Sequence, residues 1–195
     1  MTTDGGNRRI FKVDLTSGRQ ESVTNGGSEF WPRCSPDGTW FTYTSLHNPT
    51  SAILRVDSTI GVAKKLTDGL SMHAIVSPDG RTIACIYRAD QKAAWRVSLL
   101  PSQGGAPIKF FDFPNAFSQE YRWSADGRAL YYVVSQDGAA NIWKQPIDGG
   151  APSQVTHFKE DSIYSYELSR DGRQMVVARG ATYRDIVSLG GFQEQ

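Results

Sequence analysis

Four apolar runs recur along the chain, and each begins two residues after a glycine. Runs this continuous are typical of β-strands that are buried on both faces. The pattern therefore predicts four equivalent buried strands, at residues 40–43, 82–87, 129–134 and 174–178. The residue three positions after the glycine is apolar in every copy: Phe41, Ile83, Leu130 and Met175.

A polar turn motif precedes each apolar run. Asp and Ser can accept local backbone hydrogen bonds, and Gly adopts the positive φ that closes a tight hairpin. The Asp residues at 37, 79, 126 and 171 are 42, 47 and 45 residues apart, a period that indicates a repeat architecture. We interpret these Asp residues as hairpin corners rather than as a catalytic or calcium-binding set. The four copies are Ser35-Pro36-Asp37-Gly38, Ser77-Pro78-Asp79-Gly80, Ser124-Ala125-Asp126-Gly127 and Ser169-Arg170-Asp171-Gly172.

Further strands are predicted around each apolar run. One strand precedes the turn, one follows the run after a polar turn, and one closes the unit after a glycine-containing turn. Four short antiparallel strands in a unit of about 45 residues form the blade of a β-propeller. The sequence therefore predicts an all-β fold, a β-propeller of four-stranded antiparallel blades with about four blades present. The additional strands are at 30–34, 72–76, 119–123 and 164–168, at 53–56, 94–97, 141–144 and 185–187, and at 63–67, 107–111 and 152–156.

The predicted propeller region covers residues 1–195 as a single domain with incomplete units at both ends. With the two strands of the N-terminal hairpin, at 10–14 and 20–24, it contains seventeen strands. Closed rings of four or five four-stranded blades need about sixteen or about twenty. We favour a partial arc of a larger propeller. A small closed ring, in which the N-terminal hairpin completes the last blade, is the alternative. An open arc leaves an apolar blade face uncovered, so self-association is expected. The predicted blades are 1–27 (outer half only), 28–69, 70–113, 114–157 and 158–192 (incomplete).

The charge and composition of the chain limit the classes of partner that it could bind. The 21 Lys and Arg residues balance 20 Asp and Glu residues, so no field would hold nucleic acid or an anionic membrane by charge alone. Residues 1–9 lack the apolar core of a signal peptide, and no apolar run has transmembrane length. We expect a cytoplasmic location for the chain as written, or an extracytoplasmic one within a longer membrane-anchored protein. Cys34 and Cys85 are expected to be small buried hydrophobes rather than a disulfide framework.

The repeat resembles the TolB-type, WD-like propeller repeat over nearly the whole chain. The resemblance rests on the Ser-Pro-Asp-Gly turn, on Ile142-Trp143-Lys144, on Gly149-Gly150-Ala151-Pro152 and on Leu66-Thr67-Asp68-Gly69. The segment 178–187 is similar to the last blade of propellers that end bacterial receptor-type serine/threonine kinases and winged-helix regulators. This resemblance implies a C-terminal sensing or interaction module of a larger bacterial protein. It implies a non-catalytic scaffold without a cofactor.

The sequence also bears on whether this propeller is part of an enzyme. The repeat also resembles the propeller that gates prolyl-oligopeptidase-type serine peptidases, but the chain contains no Gly-x-Ser-x-Gly motif to hold a nucleophile. His47, His73 and His157 occupy different positions within the repeat, which argues against a shared ring of metal ligands. A metal-dependent lyase or hydrolase of the propeller type, or the accessory propeller of a peptidase, stays as the alternative function.

Binding residues are predicted where the inner strands begin, because rigid blades position loops that are free to vary. Aromatic side chains together with Arg and Glu on one rim suit a protein partner or a small polar ligand. The predicted rim consists of Trp31, Arg33, His73, Glu120, Tyr121, Arg122 and Tyr164.

Overall fold

The computed structural model describes residues 3–4, 7–24, 27–47, 50–58, 61–114 and 121–181. These residues form β-strands, turns and bends, with no helix among them, and so none that could cross a membrane. The strands are β1 (Thr3–Asp4), β2 (Asn7–Arg8), β3 (Phe11–Val13), β4 (Gln20–Ser22), β5 (Glu29–Cys34), β6 (Trp40–His47), β7 (Thr50–Asp57), β8 (Ala63–Lys65), β9 (Leu70–Val76), β10 (Thr82–Arg88), β11 (Arg96–Pro101), β12 (Lys109–Phe111), β13 (Arg122–Trp123), β14 (Ala129–Gln136), β15 (Ala139–Pro146), β16 (Ser153–Gln154), β17 (Ser162–Leu168) and β18 (Met175–Gly180).

Three complete sheets occupy the middle of the described chain. Strands β5 to β8, β9 to β12, and β13 to β16 each form a four-stranded antiparallel sheet in sequential order. The hairpins β3–β4 and β17–β18 form two-stranded sheets on either side, and β1–β2 forms a small hairpin. The all-β prediction with four-stranded antiparallel units is confirmed. The blade boundaries at residues 27, 69, 113 and 157 stay a prediction, and the third strand predicted at 185–187 lies outside the described residues.

The four turn motifs share one hydrogen-bond pattern. In each copy the Ser Oγ donates to the Asp Oδ1 across 2.6 Å, and that oxygen accepts the amide of the residue after the Gly. The same Ser Oγ accepts the amide that begins the next strand run. The glycines have φ between 69° and 71°, as the turn requires. The hydrogen bond from Ser is the main cause that lowers the pKa of all four Asp carboxyls. The predicted structural role of these carboxylates is therefore confirmed.

Consecutive sheets lie side by side, with their turns in contact. A Cβ on Gly80 would lie 3.7 Å from Pro36 Cδ, and one on Gly127 would lie 3.6 Å from Pro78 Cδ. Between the sheets lie apolar clusters, the largest of which joins Ile86 and Phe111 of the second complete sheet to Leu130 of the third. The first strand of each sheet therefore begins at a common end and runs toward a shared row of turns.

Candidate functional site

A β-bulge interrupts the first strand of two neighbouring sheets. In β5, Phe30 pairs with Thr44 and Arg33 pairs with Thr42, so two residues, Trp31 and Pro32, oppose one residue of β6. The same two-for-one irregularity occurs in β9 between the pairs of Met72 and Ile75 with β10. Bulges of this kind re-aim a side chain and are over-represented next to functional sites.

Trp31 and His73 are the bulged residues, and both adopt left-handed backbone conformations. Their φ angles are 50° and 55°, and each residue lies four positions before the Ser of its turn motif. Non-glycine residues in this region cost on the order of 1–3 kcal/mol each, and they cluster at binding and catalytic sites. The two rings lie with their centroids 3.7 Å apart and their planes tilted by 42°. The bulges therefore bring one aromatic side chain from each of two neighbouring sheets into direct contact.

His73 is held in its neutral form. Burial, together with the nearby Arg33 cation, lowers the pKa of His73 from its ordinary value of 6.5 to about 4. The backbone amide of His73 donates to Thr44 Oγ1 at 3.3 Å, which ties the bulge to the preceding sheet. At neutral pH the pair is therefore an uncharged aromatic surface beside a positive charge.

Acidification is expected to weaken the fold through His73. Because the folded pKa is lower than the unfolded one, the unfolded chain binds the proton first, and stability falls as the pH drops from about 6.5 to about 4. The full shift corresponds to about 3 kcal/mol, and solvent screening of the partly exposed ring reduces this to about 1–2 kcal/mol. His73→Asn tolerates the left-handed backbone and does not titrate. Urea unfolding between pH 7 and pH 5 should give a shallower pH dependence for the variant, and equal slopes would contradict this account.

Two arginines lie on the inner strands around this pair. Arg33 is exposed, and its guanidinium donates to the carbonyl of Pro32 at 3.2 Å. Arg122 forms a salt bridge with Glu167 of the next sheet, with 3.2 Å between Nε and Oε2. Arg33 therefore supplies positive charge beside His73, whereas Arg122 is paired with Glu167.

Tyr121 lies in the core. It is only 2% exposed, and it belongs to the apolar cluster between the second and third complete sheets. Its hydroxyl donates a hydrogen bond to the backbone carbonyl of His73, so it supports the bulge from behind. Trp123 makes a similar link, since its Nε1 donates to the carbonyl of Ile75 at 3.2 Å. Both side chains fasten the third complete sheet to the inner strand of the second.

The remaining predicted rim residues are placed differently. Tyr164 is 53% exposed and lies in β17, two sheets beyond the strand that carries His73. Glu120 lies outside the described residues. The structure therefore brings together Trp31, Arg33 and His73, pairs Arg122 with Glu167 of the next sheet, and leaves Tyr164 apart from the aromatic pair.

Two clefts of about 630 Å³ each were not among the sequence predictions. One lies between the outer strands of the second and third complete sheets, and the other lies between β3–β4 and the first complete sheet. The sequence did contain a signal for the cleft between the second and third complete sheets, because the loop Gly104-Gly105-Ala106-Pro107 recurs as Gly149-Gly150-Ala151-Pro152. The loop at 149–152 forms one wall of this cleft. Its other lining residues include Lys109, Phe110, Phe113, Tyr132 and Trp143.

In the part of the chain that the structure describes, no group of three or more His, Cys, Asp or Glu side chains is arranged to hold a metal ion.

Comparison with known proteins places this geometry in a fold. The chain is 33% identical over 95 residues to an uncharacterised protein of Agrobacterium fabrum, a match that covers 47% of this chain and 32% of that protein. TolB from Acinetobacter baumannii superimposes with a TM-score of 0.61 at 24% identity, over 75% of this chain and 37% of TolB. No family model matches the sequence. The chain thus spans about a third of the length of these two proteins.

Two further structures show the range of proteins that share the fold. An oligogalacturonate lyase in complex with manganese has a TM-score of 0.62 at 18% identity, covering 87% of this chain and 53% of the lyase chain. The β-propeller domain of the trilobed protease from Pyrococcus furiosus, described as having an open velcro topology, has a TM-score of 0.57 at 16% identity, covering 82% and 53%. The chain therefore has a TolB-like β-propeller fold, as its repeat predicted, and this fold alone does not decide between binding and catalysis.

Proposed function

We propose that this chain is a non-catalytic binding scaffold, and that the surface formed by Trp31, Arg33 and His73 holds an acidic segment of a protein partner. The carrying observation is the contact between two strained, bulged aromatic residues on neighbouring sheets. Trp31 and His73 lie within strands, so no tight turn requires their left-handed backbone conformation. Strained positions of this kind cluster where ligands are held. We further propose that the chain is the sensing or interaction part of a larger bacterial protein. In support, its match covers only about a third of the related Agrobacterium fabrum protein.

The charge of the surface selects the ligand class. Arg33 is exposed, and its only hydrogen bond described here goes to the neighbouring carbonyl of Pro32, so its guanidinium can also bind a carboxylate. The neutral ring of His73 and the indole of Trp31 provide an uncharged aromatic surface beside it. A peptide that alternates acidic and apolar side chains would match both features.

The test uses a fluorescein-labelled peptide of alternating Glu and Leu, titrated with the chain and followed by fluorescence anisotropy. Arg33→Ala should weaken binding about tenfold, the loss expected for one charge-assisted hydrogen bond. Arg173→Ala is the matched control, because Arg173 is an exposed cation at the opposite, turn end of an inner strand. It should bind as the unmodified chain does.

A peptide with Gln in place of Glu separates charge from shape, and competition by free glutamate separates a peptide site from a site for small carboxylates. Weak or absent binding of the Gln peptide supports the proposal. Equal affinity for both peptides, or unchanged affinity in both Trp31→Ala and Arg33→Ala, would show that the ligand is held elsewhere. Displacement by millimolar glutamate would assign the surface to small carboxylates instead.

A further inference from the structure

The cleft between the second and third complete sheets has the size of a small-molecule site. Its volume is about 630 Å³, within the range of about 300–1,000 Å³ that is typical of ligand pockets. One wall comes from β12 and the residues that follow it, and the other comes from β14, β15 and the loop at 149–152. Both walls belong to complete four-stranded sheets, so the cleft is a feature of two neighbouring repeats.

Stacked aromatic rings line this cleft. The ring of Phe113 has its centroid 4.0 Å from that of Tyr132, with an angle of 7° between the planes. The centroid of Phe113 is also 5.8 Å from that of Phe111, with an angle of 25°. Trp143, which pairs with Tyr132 across β14 and β15, adds a half-buried indole to the lining. Because aromatic rings prefer to stack on one another with an offset or at an angle, this lining suits a ligand that carries a ring.

Two polar atoms of these rings have no hydrogen-bond partner among the described residues. Tyr132 is 5% exposed, and burial alone raises the pKa of its hydroxyl above the ordinary value, with no hydrogen bond contributing. The indole Nε1 of Trp143 likewise donates to no residue in the described ranges. Leaving a buried hydroxyl or indole N–H unpaired costs free energy, so such groups are usually hydrogen-bonded. Both groups are donors, and a ligand in the cleft would supply the acceptor.

The ammonium of Lys109 lies at the same cleft. Its Nζ is 5.8 Å from the centroid of the Phe111 ring, and it makes no ion pair with a described residue. The ammonium reaches the loop of the opposite wall, since a Cβ on Gly149 would lie 2.7 Å from Nζ. Gln145 holds this loop in place, because its Nε2 donates to the carbonyl of Gly150 at 2.8 Å. A positive charge therefore spans the two walls.

The carboxylate nearby does not neutralise this charge. Asp112 also lines the cleft, but Arg96 binds it through two hydrogen bonds, of 2.6 Å and 3.0 Å. Lys64 has the repeat position of Lys109 in the first complete sheet, and there the ammonium donates to the carbonyl of Gln103 at 2.8 Å. Lys109 has no such acceptor among the described residues, so its charge is available to an anion.

We propose that this cleft binds a small aromatic carboxylate. The ring of the ligand packs against Phe113 and Trp143, and its carboxylate accepts hydrogen bonds from Lys109 and from the hydroxyl of Tyr132. A charged donor beside neutral donors favours an anion over an uncharged ring of the same shape. The cleft lies between outer strands, whereas Trp31, Arg33 and His73 lie on inner strands, so this inference does not depend on the proposed peptide surface.

Isothermal titration calorimetry with cinnamate, a planar aromatic carboxylate, tests the site. Lys109→Ala should weaken cinnamate binding about tenfold, the loss of one charge-assisted hydrogen bond. Lys64→Ala is the matched control, because it removes the equivalent lysine of the first complete sheet and should leave the affinity unchanged. Tyr132→Phe keeps the stacked ring, so it should weaken binding about threefold to tenfold. It should not change the midpoint of urea unfolding, because the hydroxyl has no partner among the described residues.

Cinnamamide separates charge from shape, and acetate separates the ring from the carboxylate. Much weaker binding of both compounds than of cinnamate supports the proposal. No heat of binding with millimolar cinnamate, or equal affinity for cinnamamide, would overturn it. Unchanged affinity in both Lys109→Ala and Tyr132→Phe, or loss of cinnamate binding in Arg33→Ala, would place the ligand elsewhere. Tighter binding of a peptide that ends in Trp would assign the cleft to a protein terminus instead of a small molecule.

Discussion

Replacing Leu130 with alanine is expected to lower the free energy of unfolding by about 3 kcal/mol, as buried Leu to Ala changes typically cost about 2–5 kcal/mol. Leu130 is fully buried in the cluster between the second and third complete sheets. The same cluster includes Ile86 and Phe111, which lie on the neighbouring sheet. The substitution therefore leaves a cavity between two sheets, where the surrounding strands cannot collapse without breaking their pairing. Urea unfolding followed by far-ultraviolet circular dichroism measures the loss.

Leu15→Ala provides a control with the same chemistry at the surface. Leu15 is 96% exposed, so its truncation should change the free energy of unfolding by less than about 0.5 kcal/mol. If the two variants unfold at the same urea concentration, the interface between sheets does not contribute to stability as the packing indicates.

The local parts of the fold could be predicted from the sequence because their causes are local. Each turn is specified within five residues, by a Ser that bonds an Asp and by a Gly with positive φ. The apolar position three residues after each turn glycine was recognisable for the same reason, because its spacing from the turn is the same in all four copies. Its two middle members, Ile83 and Leu130, are fully buried, as predicted. The prediction of a buried strand is wrong for the run at 174–178, where Val176 is 73% exposed.

Burial at the ends of the chain could not be predicted in this way. Cys34 was expected to be buried and is exposed, so that prediction is wrong for Cys34 and correct for Cys85. Among the described residues, the neighbour of the first complete sheet on this side is the two-stranded hairpin β3–β4 rather than a four-stranded sheet, and a repeat pattern gives no information on which neighbour a given copy has. Burial of Cys85 raises its thiol pKa to about 12, which marks how different the two environments are.

The candidate surface was located only approximately for a related reason. Trp31 and His73 lie near the start of inner strands, where the sequence placed them, and their role in binding stays a prediction; their contact depends on bulges that no local motif indicates. A bulge shifts the faces of the strand by one residue, so it decides which neighbour points inward. Tyr121 lies just before β13 and its side chain is buried in the core.

Replacing Tyr121 with alanine is therefore expected to lower the free energy of unfolding by about 3–4 kcal/mol, the cost of removing a buried aromatic ring. Tyr121→Phe keeps the ring and removes the hydroxyl that donates to the carbonyl of His73, so it should cost about 1–2 kcal/mol. The difference between the two variants separates packing between sheets from support of the His73 bulge. Urea unfolding of both variants gives the two free energies.

Tyr164→Ala is the matched control, because Tyr164 is an inner-strand tyrosine that is 53% exposed, and its loss should cost less than about 1 kcal/mol.

The acidic Glu–Leu peptide adds a second readout. Tyr121→Phe removes one support of the bulge, so it should weaken peptide binding only a few-fold and less than Arg33→Ala does. A Tyr121→Ala variant with normal stability and no peptide binding would place Tyr121 on the binding surface after all, and the assignment of its side chain to the interface between sheets would be wrong.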